Sequence, residues 1–383
     1  MEIVAKIVLT GGPCAGKTTA LTKIEESLSE KGYKVFIVSE SATELIKGGI
    51  LPFGNLPVPM KIFQELNTKY QLDKEKTYEK AASLLNCNQK AVIVYDRGAM
   101  DNKAYVKEEE FNEVLDNLKL KEIELMDRYN MIIHLVTAAK GAEECYTLGN
   151  NSARTETKEE AIERDELTLN AWTGHPRLKI IDNSTTFSEK INNVLKEIYS
   201  YLGEPIPIKR ERKYLISLDN SNLEFLKENN SQKIGIIQTY LQSNDNEKRL
   251  RKRTYKGENT YYLTTQKDTD QEAERIFLEK KINEDEYIQL LDKADPELMP
   301  ISKDRHCFTY QNQYFRLDII PELGNIGILE IEMTDKNKKI VIPNDISVIK
   351  EVTHDANYRN YNLAKKLKSK SSNANNKKNL ILQ

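Results

Sequence analysis

The residues Gly11-Gly12-Pro13-Cys14-Ala15-Gly16-Lys17-Thr18 fit the pattern G-x-x-x-x-G-K-[ST], with Thr19 directly behind. Their chemistry is anion capture. Glycines let the backbone curl until several N–H groups converge on one point, and the N-terminus of a following helix adds about half a unit of positive charge there. A nucleoside triphosphate, ATP or GTP, suits such a cradle. Lys17 is expected to reach the β- and γ-phosphates, and the Thr18 hydroxyl to ligate Mg²⁺. Two acids, Glu40 and Asp96, each follow an apolar run, and Arg97 follows Asp96. Asp96 has the form of an acid that orients Mg²⁺ or its water shell; a helix cap at the strand end is the plainer alternative.

These residues need elements to hold them. Ile3 to Leu9 reads as a buried strand, and Leu21, Ile24 and Leu28 recur at helical spacing after the loop. Val35–Val38 and Ala91–Tyr95 read as two more strands, ending at Ser39-Glu40 and Asp96-Arg97. Ligands of open parallel sheets bind beyond the carboxyl ends of strands, so both acids are expected to face the phosphate loop. The fold expected for residues 1–202 is therefore an α/β P-loop NTPase domain, a parallel sheet with helices on both faces. The Gly- and Pro-rich stretch 47–60 is a long connection suited to a second-substrate pocket or to a plain surface loop. Gln64 and Gln71, on the helix after it, could read a base or simply form an exposed polar face. Arg154 and Arg164 lie in a polar segment that could close over a nucleotide; Arg164 reads as a surface partner of acids one turn away.

An acid after the second strand and an Asp-Arg pair after the third resemble the arrangement of P-loop nucleoside and nicotinamide-riboside kinases. The resemblance implies that Glu40 accepts the proton of a substrate hydroxyl and that Arg97 steadies transferring phosphoryl oxygens. Glu40 reads equally as the cap of a helix starting at Ser41.

At 383 residues the chain is too long for one ordinary domain. Gly203-Glu204-Pro205-Ile206-Pro207 marks a boundary, with a linker over 203–208 and a second domain over 209–364. There, strands carry charges two residues apart, which puts both on one face: Glu211 with Lys213, Arg249 with Arg251 and Arg253, Lys303 with Arg305, Arg316 with Asp318, and Glu330 with Glu332. The ordinary meaning is a sheet with its charged face in water. If the strands close into a barrel, the same charges line a lumen of both signs, suited to a polyphosphate.

At these residues the sequence resembles the CYTH, or triphosphate tunnel, family. Lys209, Glu211 and Lys213 align with its E-x-E-x-K motif, and Arg275, Phe277, Glu279 and Ile282 with R-x-E-x-E-x-x-I. Lys303, Arg305, Asp318, Glu330 and Glu332 match its later features. The resemblance implies an α+β antiparallel CYTH-like β-barrel domain with a phosphate tunnel. Lys209 and Phe277 stand where the family has carboxylates, which removes potential metal ligands from the tunnel. The whole chain is similar to bacterial AAA-family ATPases that join a kinase-like P-loop domain to a CYTH-like domain, and to the animal TRPL translocation defect proteins, which bind GTP and phosphoinositides. A nucleotide and a polyphosphate or phosphorylated head group are the implied partners.

With 57 basic and 59 acidic side chains, nothing global argues for nucleic acid. Cys14, Cys87, Cys145 and Cys307 form no C-x-x-C pair, and no apolar stretch approaches the ~20 residues of a membrane span, so a cytoplasmic protein without a transmembrane segment is expected. After Ala364 the Lys-, Ser- and Asn-rich residues 365–383 read as a disordered basic tail.

Overall fold

The computed structural model describes residues 2–84, 90–143, 157–204, 208–229, 231–243, 247–268, 274–333 and 339–369. The chain separates into two compact units, Met1–Leu202 and Gly203–Gln383.

The first unit runs β1 (Glu2–Thr10), α1 (Lys17–Glu30), β2 (Lys34–Val38), α2 (Ser41–Lys47), α3 (Met60–Leu84), β3 (Lys90–Asp96), a 3₁₀ helix (Ala99–Tyr105), α4 (Glu108–Leu118), α5 (Glu122–Met126), β4 (Met131–Leu135), α6 (Lys158–Trp172), β5 (Leu178–Ile181) and α7 (Phe187–Leu202). All five strands are parallel, in the order β2-β3-β1-β4-β5. Alternation explains why both faces are covered. Ile7 and Leu9 of β1 point to α1 and α7, where Leu21, Ile24, Ile191, Val194 and Ile198 close one core. Tyr95, two residues after Ile93 on the other face, bonds to Glu79 of α3 at 3.2 Å. The carboxyl ends of β1, β2 and β3 share one edge, which brings residues 11–18, Glu40 and Asp96 to the same side of the sheet.

The second unit runs β6 (Ile208–Ser217), α8 (Asn220–Glu228), β7 (Gln232–Leu241), β8 (Glu247–Tyr255), β9 (Glu258–Asp268), β10 (Glu274–Ile282), α9 (Glu284–Leu291), β11 (Ile301–Tyr310), β12 (Gln313–Ile319), β13 (Ile326–Glu332) and β14 (Val348–Glu351). Its sheet has the order β10-β9-β8-β7-β11-β12-β13-β6-β14, and a further antiparallel pairing of β10 with β6 closes it into a barrel. The tight β8–β9 hairpin is turned by Lys256 and Gly257, both at positive φ, a geometry that matches strand twist. Outward-facing Phe308, Phe315, Leu317, Leu329 and Ile331 pack under Phe225 and Leu226 of α8. Leu250, Tyr261 and Ile282 pack under Tyr287 of α9. With the apolar faces turned outward under helices, the charges two residues apart turn inward.

Composition misplaces the end of this unit. Residues 360–369 are helical, so the chain stays ordered beyond Ala364, because Leu363, Ala364 and Leu367 pack against Val352, Ile320 and Leu298. Residues 370–383 of the expected tail lie outside the described residues. No described helix is long and apolar enough to cross a membrane.

Candidate functional site

The loop between β1 and α1 needs glycine at Gly11 and Gly16, where φ is positive and a Cβ would clash. At Gly11, φ is 138° and a Cβ would lie 2.0 Å from the carbonyl oxygen of Leu135; Gly16, at φ 89°, opens α1. No acid occupies the first turn of α1, so its positive end is uncontested. Lys17 folds back over the loop, its Nζ donating to the carbonyls of Gly11 and Gly12 at 3.0 Å each. Burial and then Arg97 lower its pKa to about 8, against the pull of Asp96 and Glu40. Thr18 and Thr19 are exposed at the head of the helix.

Beside the loop stand the strand-end charges. Arg97 Nε donates to Glu40 Oε1 at 2.5 Å, and Thr43 donates to Glu40 Oε2 at 2.6 Å. Glu40 occupies the N-cap position of α2, but its side chain makes no capping bond. Burial raises its pKa, and Arg97, Thr43 and Lys17 together outweigh that, leaving it lowered. Arg97 adopts φ 70°, rare for a side chain of its size, and is pinned on both sides: its N–H donates to Leu9 O at 3.1 Å and its carbonyl accepts from Gln71 at 3.2 Å. Asp96 Oδ1 is buried with no hydrogen-bond partner, which argues against a helix cap. Burial raises its pKa, Lys17 opposes, and Glu40 adds to the rise. A buried, unsatisfied carboxylate oxygen and a hydroxyl at the head of α1 are a donor set that fits a divalent cation.

Sequence reading missed the residues that hold this loop from behind. Asp165 Oδ1 accepts from the N–H of Gly12 at 2.7 Å and from that of Thr137 at 3.1 Å, and stands 3.2 Å from Nε2 of the buried His134. Asp101 accepts from the Thr10 hydroxyl, from Gly98 N at 2.6 Å and from Trp172 Nε1 at 3.2 Å. Both acids act across the sheet edge, and no local motif announces them. α6, started by a Thr157/Glu160 capping box, carries Asp165 inward. Arg164 is not paired with acids one turn away. Its guanidinium donates to Ala104 O and lies 4.4 Å from the centre of the Tyr105 ring. Gln64 and Gln71 do not form an exposed face; both are buried, because α3 packs that face against the 3₁₀ helix. Arg154 lies outside the described residues.

The barrel gathers the second set. Lys213 reaches Glu330 at 2.7 Å and Glu211 at 3.1 Å. Arg305 grips both oxygens of Asp318, at 2.6 and 2.7 Å, and touches Glu330 at 3.0 Å, while Lys303 takes Asp318 at 2.5 Å. Arg251 pairs with Glu279 at 2.6 Å and Arg249 with Glu247 at 3.3 Å. Arg316 lies 3.9 Å from Glu211 and 3.8 Å from Glu332. Burial lowers Lys303 to about 8, and Asp318 only partly offsets it. Burial raises the Glu330 carboxyl, but Lys213 leads the bases that pull it well below the usual range. A cavity is lined by Lys213, Arg249, Arg251, Lys303, Arg305, Arg316 and Glu211, among others. Gln238, Gln266 and Arg359 also line it, without any signal in the charge alternation. Arg253, Asp318 and Glu332 are not in its lining; Asp318 sits beneath it as counterion to Lys303 and Arg305. The Arg275 strand segment pairs with Lys209 at the barrel closure, and the side chains of both lie outside the described residues. Phe277 is buried, with the Arg249 guanidinium 6.0 Å from its ring centre. Among the described residues, no three His, Cys, Asp or Glu side chains group as a metal site.

Residues 6–190 match the family model of an AAA domain. Comparison with curated proteins gives no match. Among solved structures, the inorganic triphosphatase NE1496 is 22% identical, with a TM-score of 0.29, covering 41% of this chain and 94% of that one. PH1819 from Pyrococcus horikoshii OT3 is 21% identical, with a TM-score of 0.28, covering 33% of this chain and 80% of that one.

Proposed function

We propose that the chain binds a Mg²⁺-nucleoside triphosphate, ATP or GTP, at residues 11–19 and either hydrolyses it or transfers its terminal phosphoryl group to a small hydroxyl acceptor. The observation that carries this reading is the convergence, beside an AAA-type P-loop, of Lys17, the unpartnered Asp96 oxygen and the Arg97–Glu40 pair. Lys17 would leave the loop carbonyls for the β- and γ-phosphates. Thr18 and Asp96 would hold Mg²⁺, which when bound offsets charge on the phosphate oxygens. Arg97 Nη1 is buried without a hydrogen-bond partner, which leaves it a donor for a phosphoryl oxygen. Glu40, kept ionised by Arg97, is a weak base but a good acceptor, so its role is to orient the attacking hydroxyl; a loose phosphoryl transition state asks for little more.

Turnover by the intact protein with Mg²⁺ is the test, with Glu40→Gln as the discriminating variant. Phosphate release or transfer should fall roughly 10²-fold or more, with nucleotide binding retained. Undiminished turnover in that variant rejects Glu40 as the orienting group.

A second reading is favoured by the barrel: its basic residues are plentiful, and among the described residues its acids are engaged with them rather than clustered for a metal. On this reading the P-loop unit is a nucleotide switch, and the lumen receives a polyphosphate or a phosphoinositide head group without hydrolysing it. Substituting Arg249 and Arg251 together by Gln should weaken binding of tripolyphosphate or inositol trisphosphate by roughly tenfold or more, since bonds to a charged partner are worth about 1.5–3 kcal/mol each. Nucleotide affinity at the P-loop should not change. Calorimetric titration of both ligands checks this, and unaltered anion affinity removes the lumen from consideration.

A further inference from the structure

The phosphate loop reverses its sense in the middle. A peptide unit is planar and trans, so a carbonyl and the N–H of the next residue point in opposite directions. The carbonyls of Gly11 and Gly12 face the Lys17 ammonium, at 3.0 Å each. The N–H of Gly12 therefore faces the other way, where Asp165 Oδ1 accepts it at 2.7 Å. The next N–H would follow it there, but the residue is Pro13, which has none. From Pro13 onward the carbonyls turn back. Pro13 O accepts from the Thr137 hydroxyl at 2.5 Å, and Cys14 O from Ala138 N at 3.4 Å. These donors stand on the Asp165 side, since Thr137 N also donates to Asp165 Oδ1, at 3.1 Å. The N–H groups of Cys14 and Ala15 are thereby turned toward the Lys17 side. Cys14 sits at a left-handed φ of 55°, the kind of backbone that makes successive N–H groups converge on an anion.

What holds those two carbonyls back lies outside the motif, in the connection leaving β4. Thr137 is fully buried and commits every polar group: its N–H to Asp165, its hydroxyl to Pro13, and its carbonyl to Asn183 Nδ2 at 2.8 Å. Asn183, just beyond β5, also donates to Lys140 O at 2.8 Å and accepts from Lys190 Nζ at 2.6 Å. An ammonium only donates, so the orientation of the Asn183 amide is fixed. Lys190, on α7, holds the same connection a second time by donating to Val136 O at 2.7 Å. We infer that Thr137 is a positioning residue for the nucleotide: its hydroxyl sets the direction of the Pro13–Cys14 peptide and so aims the loop N–H groups at a phosphate oxygen. The inference rests on the nucleotide-binding reading above and adds to it a residue that the loop motif does not contain. The competing state is a peptide flip. Once the hydroxyl is gone, the Pro13 carbonyl can turn toward Lys17 and join those of Gly11 and Gly12, which sets a third oxygen where a phosphate must sit.

Three substitutions separate the hydroxyl from the volume it fills. Thr137→Val keeps the shape and removes the donor. Thr137→Ser keeps the donor and removes a methyl, while Thr137→Cys also lacks the methyl and offers only a weak S–H. Fluorescent nonhydrolysable analogues of ATP and GTP are titrated with Mg²⁺ into the full chain, and the binding that Lys17→Ala abolishes is assigned to the loop. The serine variant should bind within a few-fold of wild type. The valine and cysteine variants should bind roughly tenfold or more weakly, the contribution of a hydrogen bond to a charged group. A purely structural role would lower the number of binding sites, through loss of folded protein, and leave the affinity of the remaining sites unchanged. Should the valine variant not fold, serine against cysteine carries the comparison, since the two differ by a single atom. Unchanged affinity in the valine and cysteine variants, or a serine variant as weak as cysteine, overturns the role of Thr137 and leaves the nucleotide reading intact. Absence of any Lys17-dependent binding in the wild type overturns both.

Discussion

Lys17→Ala will lose nucleotide turnover by roughly 10²- to 10³-fold, the cost of removing one preorganised donor from a phosphoryl-transfer site. The variant loses more than a positive charge. In the ligand-free loop the ammonium bridges the carbonyls of Gly11 and Gly12, two oxygens close enough to share one donor. Without it those dipoles repel each other and any incoming phosphate. Fluorescent-nucleotide titration and phosphate-release assays on the same sample check both effects. Turnover within a fewfold of wild type would remove the loop from the proposed chemistry.

Asp318→Ala should destabilise the barrel unit by about 3–5 kcal/mol, the usual consequence of deleting one partner from a buried ion pair. Asp318 is 1% exposed and answers two cations, Lys303 and Arg305. Its removal leaves Arg305 with Glu330 alone and Lys303 with nothing in reach of its ammonium among the ion pairs described. A lowered urea midpoint for the second unit, at unchanged slope, is the expected observation. The pH dependence has a definite sign. Burial raises the Asp318 carboxyl, Arg305 and Lys303 more than reverse that, and the net lowering means its contribution is present above the ordinary value of 3.8 and lost as pH falls through the folded-state pKa. Lys303 works the other way: below about 8 the fold carries the cost of keeping it charged, and that cost is relieved as pH rises from about 8 toward 10.5.

The parts of this molecule that were legible in its sequence are those whose chemistry is local. The loop at 11–18 announces itself because a turn, a cation and a hydroxyl must be contiguous to wrap one phosphate. Charges on alternate residues of β8, β11 and β13 announce a polar lumen, because pleating sends them to one side. What could not be read are roles assigned by register and crossover. Asp165 looks like any acid on a polar helix until β4 and β1 are adjacent and Gly12 comes within 2.7 Å of it. Arg164 looks like a solvated arginine until the 3₁₀ helix brings up Tyr105. Asp318 carries a tunnel motif's residue type yet lies under the cavity, since a counterion and a ligand contact are indistinguishable in a strand pattern.

Arg164 and Asp165 are consecutive, yet one lies over the Tyr105 ring and the other holds the 11–18 loop from behind through Gly12 N. Successive residues on a helix diverge by about 100°, so this division of labour depends on the phase of α6 and not only on its composition. Inserting or deleting a single residue between the pair and Trp172, with the helix still anchored at Trp172, would swing both side chains off target together. Evolution can therefore trade amino acids freely along the outer surface of that rod but cannot change its count, and a length polymorphism there would be read out as loss of both halves of the site at once.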